Sequence, residues 1–117
     1  MITLLYQDTL GGLQVKGLDG SWIEADAKPG TVLINAGDML EIYTSGRLPA
    51  TMHRVIVPKE EIQRRQSRQS IVFFVHPDHD TEIYPLPGFP NNKNLEKYGK
   101  VTALEHVKRR FADNYRY

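Results

Sequence analysis

The sequence contains no cysteine, which excludes disulfides, thiolate nucleophiles and cysteine-based zinc sites. It has no apolar run near the ~20 residues that a bilayer span requires. Its first residues, Met-Ile-Thr-Leu-Leu-Tyr-Gln-Asp, carry neither a basic stretch nor a cleavage signal. Nor is there an excess of one charge. Fifteen lysines and arginines stand against 14 aspartates and glutamates, a balance unlike that of a nucleic-acid binder. These absences lead us to expect a chain of a reducing, cytoplasmic setting, with no nucleic-acid and no membrane partner. What is present is ordinary globular composition, 40% hydrophobic and 25% charged. Its 117 residues suffice for one small domain with a core.

Most of the chain alternates short β-rich runs with turn residues. Ile2–Tyr6 reads as a strand closed by Gly11-Gly12. Leu13–Lys16 and Ser21–Glu24 flank Leu18-Asp19-Gly20, a hairpin turn in which glycine accepts positive φ. Lys28-Pro29-Gly30 is a turn before the apolar strand Thr31–Asn35. Asp38 reads as the N-cap of a short helix, Met39–Thr44, that Ser45-Gly46 ends. Thr51–Val57 is a strand stopped by Pro58, Lys59–Ser67 an exposed loop, and Gln69–Val75 the clearest strand. A turn at His76–Asp80 and an extended piece at Ile83-Tyr84 follow, then an irregular linker, Pro85–Asn94. Thr102-Ala-Leu-Glu105 has the form of a capping box, and Leu104, Val107 and Phe111 make an apolar stripe behind it. The expectation is an antiparallel sandwich or barrel of about six strands, with a final helix packed on the sheet.

Several blocks follow one another in a telling order. They are Ile2–Asp8, Gly11-Gly12-Leu13-Gln14-Val15, Trp22-Ile23, Pro29-Gly30 before a strand ending Asn35-Ala36-Gly37-Asp38, then Thr51-Met52-His53-Arg54-Val55 and Arg68-Gln69-Ser70-Ile71-Val72-Phe73-Phe74. Each block alone is weak, but their order and combination resemble the Fe(II)/2-oxoglutarate dioxygenase superfamily of the isopenicillin N synthase-like type. The resemblance covers about three-quarters of the chain. It implies a mostly β fold, part of a double-stranded β-helix (jelly roll), with a short helix after the fourth strand and a C-terminal helix. Residues 1–86 would be the C-terminal part of the catalytic jelly roll, and 87–117 a linker and the helix.

The resemblance also assigns residues. It places His53 at the family's distal histidine ligand for Fe(II). Thr51, His53 and Val55 share one strand face by alternation, and neutral imidazole suits ferrous iron. Taken alone, a single histidine on a strand is usually structural or exposed. Arg68 and Ser70 lie two apart, on the side shared by Val72 and Phe74. A guanidinium fork with a hydroxyl, set in an apolar face, suits a carboxylate. The family uses this Arg-x-Ser pair for the far carboxylate of 2-oxoglutarate, and isopenicillin N synthase itself uses it for its substrate's carboxylate. Arg65-Gln66-Ser67 has the same spacing, but the apolar strand follows Arg68 directly. Asn35, with Leu5 and Phe74, would line the co-substrate pocket, although as core or turn residues they would look no different.

The family's first histidine and its carboxylate form a His-x-Asp/Glu pair just before the block that starts here at Ile2. No histidine precedes His53. The chain is therefore expected to supply one of three iron ligands and, by itself, to be inactive. His76-Pro77-Asp78 spells His-x-Asp but falls after the arginine strand, where proline and aspartate suit a turn better than a metal site. No residue is assigned as catalytic. The partner implied for the complete enzyme is a small-molecule substrate. The alternative is a non-enzymatic half-barrel that covers its open sheet edge with a second copy or another protein.

Overall fold

The computed structural model describes residues 1–57, 65, 67–89 and 100–114. Among them are eight strands and two helices. In chain order they are β1 (Ile2–Gln7), β2 (Leu13–Lys16), β3 (Trp22–Glu24), β4 (Leu33–Ala36), α1 (Asp38–Tyr43), β5 (His53–Val55), β6 (Ser70–Val75), β7 (Glu82–Ile83), β8 (Val101–Thr102) and α2 (Ala103–Asn114). The strands form three antiparallel sheets, ordered β4-β1-β6, β3-β2-β5 and β7-β8. This is the mostly β architecture expected, in which the extended piece at Ile83-Tyr84 appears as β7, one residue earlier, and pairs with β8, which the strand pattern did not foresee. Most of the expected loop at Lys59–Ser67 and half of the linker Pro85–Asn94 fall outside the described residues. No helix among the described residues is long and apolar enough to cross a membrane.

The chain divides into two compact units. The strand unit comprises Thr3–Asn35 and Thr51–Phe74. Its β2–β3 hairpin closes through Leu18-Asp19-Gly20 as anticipated. Gly17 N donates to Ser21 O at 2.8 Å, the Asp19 carboxylate accepts from the Ser21 amide at 2.9 Å and hydroxyl at 2.7 Å, and Gly20 sits at φ 84°. β2 is the central strand, pairing Val15 with Ile23 on one side and with His53 on the other. Its opposite face carries a polar ladder. Gln14 Nε2 donates to Glu24 Oε1 at 2.6 Å, and Arg54 Nε donates to Gln14 Oε1 at 2.8 Å. The Arg54 guanidinium lies 4.1 Å from the centre of the Trp22 ring, and the Lys16 ammonium 6.0 Å from it. β5 is only three residues long, shorter than Thr51–Val57, because β2 offers three register partners. The ladder continues past them only through Lys16 N to Met52 O and Ile56 N to Gly12 O.

Gly12 is required where it stands. Its φ is 87°, and a Cβ there would meet the Ile56 carbonyl oxygen at 2.8 Å. The neighbouring Gly11 has φ 79°, so the loop turns through two successive conformations that side chains disfavour.

The helical unit comprises Met1–Ile2, Ala36–Ala50 and Val75–Tyr117. Met39, Ile42 and Tyr43 of α1 pack with Ile83 of β7 and Ala103 of α2, and Met1 and Val107 lie against them. The capping box forms in both directions: Glu105 N donates to Thr102 Oγ1 at 3.3 Å, and Thr102 N to Glu105 Oε2 at 3.0 Å. Two expectations need correction here. Asp38 is the first residue of α1, and its cap is Gly37, in an extended conformation without a side-chain hydrogen bond. The Asp38 carboxylate accepts from the Met39 amide at 3.0 Å through Oδ1, and its Oδ2 lies 2.9 Å from His106 Nε2 and 3.1 Å from Arg110 Nε. The buried face of α2 also departs from the expected stripe of Leu104, Val107 and Phe111. Ala103 and His106 are buried, Val107 joins the core, and Phe111 is 57% exposed. Within the helical unit, α2 thus packs on α1 and on β7 of the β7-β8 sheet.

Burial raises the Asp38 carboxyl, but the His106 hydrogen bond, the His106 charge and Arg110 outweigh it and hold the group below its ordinary value.

Candidate functional site

Within the strand unit, the inward residues of five strands and their flanks enclose a cavity of about 170 Å³. Its wall is mostly apolar. Leu5 of β1, Leu13 and Val15 of β2, Leu33 of β4, Val55 of β5, and Val72 and Phe74 of β6 supply it. The polar groups are few: Thr3, Asn35, Thr51, His53 and Arg68. Alternation along each strand explains the set, because Thr51, His53 and Val55 share one side of their strand, as do Arg68, Val72 and Phe74 of theirs.

His53 is the first residue of β5, held opposite Val15. Its Nδ1 lies 3.1 Å from the Thr51 carbonyl oxygen. With the proton on Nδ1, that atom donates to the carbonyl and Nε2 keeps a free lone pair, the arrangement of a metal-ligating imidazole.

Arg68 is half-buried and held on three sides. Nε donates to the Gly11 carbonyl at 3.0 Å, Nη2 to Gln7 Oε1 at 3.2 Å, and Nη1 to Ser70 Oγ at 3.4 Å. All three acceptors are neutral, and Arg68 forms no ion pair with a described residue. A guanidinium has five N–H donors, so one on each terminal nitrogen is not taken up by a described residue. The Ser70 hydroxyl proton also stays available, because that oxygen is the acceptor in its contact with Arg68. Ser70 is reached through Arg68, since it is not itself part of the cavity wall.

Five of the six residues singled out for the pocket, His53, Arg68, Asn35, Leu5 and Phe74, line this one cavity, and Ser70 adjoins it. Two contributors were not singled out, Gln7 and the Gly11 carbonyl. For Gln7 a signal existed, since it continues the Thr3-Leu5 face of β1 at period two. The His76–Asp80 segment belongs to the helical unit, where Thr81 N donates to Asp78 O at 3.0 Å and closes a turn. Burial lowers the basicity of His76. Among the described residues no three histidine, aspartate or glutamate side chains converge on one point.

The donor set fits one corner of a ferrous site. A neutral imidazole is a good ligand for Fe(II), and among the described residues the cavity wall holds no second histidine and no carboxylate. The charged fork with its hydroxyl neighbour fits the carboxylate of a small dicarboxylate such as 2-oxoglutarate.

Comparison with known proteins gives the same direction. The 2OG-Fe(II) oxygenase superfamily pattern matches residues 1–77. The 2-oxoglutarate-dependent dioxygenase 19 of Oryza sativa subsp. japonica is 45% identical over 87 residues, covering 74% of this chain and 24% of that protein. The homoarginine-6-hydroxylase 2-ODD-C23 of Glycine max is 36% identical over 117 residues, covering 98% of this chain and 34% of its own. A full-length Neurospora crassa protein, whose crystal structure holds alpha-KG and thymine, superposes with a TM-score of 0.78 at 35% identity, over 97% of this chain and 34% of that one. The chain thus spans between a quarter and about a third of the length of these relatives. By its sequence and its fold, this chain belongs to the 2OG-Fe(II) oxygenase superfamily.

Proposed function

We propose that the chain is the C-terminal part of the catalytic jelly roll of a non-haem Fe(II)/2-oxoglutarate-dependent dioxygenase that oxidises a small molecule. His53 is one of three protein ligands to iron. Arg68 and Ser70 hold the far carboxylate of 2-oxoglutarate, and Asn35 contacts the co-substrate from β4. The observation that carries this reading is the state of Arg68. Among the described residues its charge is held by neutral acceptors alone, at the wall of the apolar cavity that His53 also lines.

Bound iron with its co-substrate supplies the oxidising chemistry. The protein's own groups do other work. The backbone carbonyl of Thr51 orients the His53 ring. The Arg68 fork fixes the direction of a dicarboxylate, and the apolar wall strengthens that charge pairing by limiting water. A single imidazole holds iron weakly, so the chain by itself is expected to lack turnover without a His-x-Asp/Glu pair.

Anaerobic titration of 2-oxoglutarate into the chain, with Fe(II) present, tests the reading. Arg68→Ala should weaken binding by at least roughly tenfold, the loss of one charge-assisted pair. His53→Ala should abolish any iron-dependent visible band and leave the iron-independent part of the affinity in place. Equal affinity of wild type and Arg68→Ala would overturn the assignment.

A second reading has an observation of its own. Among the described residues β6 is an edge strand, and its Ile71 and Phe73 are exposed, as are Tyr6 of β1 and Ile34 of β4. Exposed apolar strand surface of this kind favours a half-barrel that self-associates or binds another protein. Light scattering decides it: a monomer at micromolar concentration eliminates self-association.

A further inference from the structure

We infer that Gln7 is a positioning residue for the Arg68 clamp, an inference that rests on reading Arg68 as the carboxylate-binding group. Gln7 is held at both ends of its amide. Nε2 donates to the Ala25 carbonyl at 2.7 Å, and Oε1 accepts from Arg68 Nη2 at 3.2 Å. The first contact fixes the second. A carbonyl oxygen can only accept, so the NH2 end must face Ala25, and the oxygen is left facing the guanidinium. Arg68 is thereby oriented by a dipole whose own direction is set by the backbone.

The next residue in the chain completes the grip. The Asp8 amide donates to the Gln69 carbonyl at 3.1 Å, and the Asp8 carboxylate accepts from the Gln69 amide. The Gln7-Asp8 pair at the end of β1 therefore holds Arg68-Gln69 ahead of β6, the first residue by its side chain and the second by its backbone.

The choice of an amide has a chemical reason. A carboxylate at position 7 would orient Arg68 equally well, but it would neutralise the charge that a ligand needs and lose the donor to Ala25. An aliphatic residue would leave Nη2 without its acceptor and the fork free to turn. Glutamine supplies direction and leaves the positive charge for the ligand.

Two measurements on the 15N-labelled chain test this. In the first, without ligand, the Nη protons of Arg68 are followed by NMR, assigned by their disappearance in Arg68→Lys. Restricted rotation in the wild type should give way to averaged signals in Gln7→Leu. In the second, 2-oxoglutarate is titrated into wild type, Gln7→Leu and Gln7→Glu. Gln7→Leu should bind about tenfold more weakly. Gln7→Glu should bind more weakly still, although its Nη signals stay restricted as in the wild type, a separation that a purely structural role would not produce. Unchanged Nη signals in Gln7→Leu, or wild-type affinity in Gln7→Glu, would overturn the inference. Absence of 2-oxoglutarate binding by the wild type would instead remove the clamp reading, and the Nη signals would still decide whether Gln7 holds Arg68.

Discussion

The two units of this chain divide burial very unequally. Among the described residues, the helical unit holds nearly all the buried side chains, including Met39, Ile42, Ile83, Ala103 and His106, whereas the strand unit holds only Leu13. The strand unit leaves Tyr6, Ile34, Ile71 and Phe73 exposed and uses its inward faces to line an open cavity at which even Val55 and Phe74 stay accessible. A packed cluster gains stability from each methylene, while a cavity wall gives up that contact to keep room for a ligand. One region is built to stay shut, the other to be filled.

Substitutions can break this contrast, and the largest effect should come from the packed unit. Ile83→Ala, at a side chain with no exposure, should cost about 3 kcal/mol in denaturant unfolding. Leu5→Ala, at a half-buried cavity position, should cost well under half of that. Equal losses at the two sites would erase the distinction.

In the strand unit the sensitive point is backbone. Gly12→Ala places a Cβ 2.8 Å from the Ile56 carbonyl oxygen at a φ of 87°. It should destabilise by about 2 kcal/mol through strain. The loop before β2 should also loosen, with faster amide exchange at Ile56, the donor to Gly12 O.

A further effect is electrostatic and belongs to the helical unit. Because the folded-state value of Asp38 is lowered, its contribution is fully present above the ordinary carboxylate value of 3.8. It is lost as pH falls through the lower folded-state value. Asp38→Asn should therefore reduce stability at neutral pH, by about 1–2 kcal/mol for a partly buried pair. The gap from wild type should close in strong acid. A gap independent of pH between 2 and 7 would argue against the ion pair with His106 and Arg110.

The smallest effects separate two features of α2. Thr102→Ala removes the accepting half of the capping box and should cost about 1 kcal/mol. Phe111→Ala should change stability by less than about 0.5 kcal/mol, as for an exposed position.

These two residues also show what the sequence could and could not reveal. The capping box and the Leu18-Asp19-Gly20 turn are local, with donor and acceptor a few residues apart, and both were legible in advance. The face that α2 buries was not. It includes His106, which meets Asp38 in a contact between distant parts of the chain that has no local signature. The cavity divides the same way. Period-two alternation and the order of blocks brought His53, Arg68, Asn35, Leu5 and Phe74 into one list. They did not show that Gln7 and the Gly11 carbonyl, 61 and 57 positions away in sequence, hold the arginine. Such contacts arise only when β1 and β6 lie side by side.

The ladder beside β2 offers a practical consequence. Trp22 is the only tryptophan in the chain, and it lies in the strand unit with Arg54 against its ring. Its emission is therefore an optical probe of that unit alone, while ellipticity at helical wavelengths reports on helices such as α1 and α2. Heating the chain while recording both signals would show whether the cavity wall melts before the packed helices, with no label introduced.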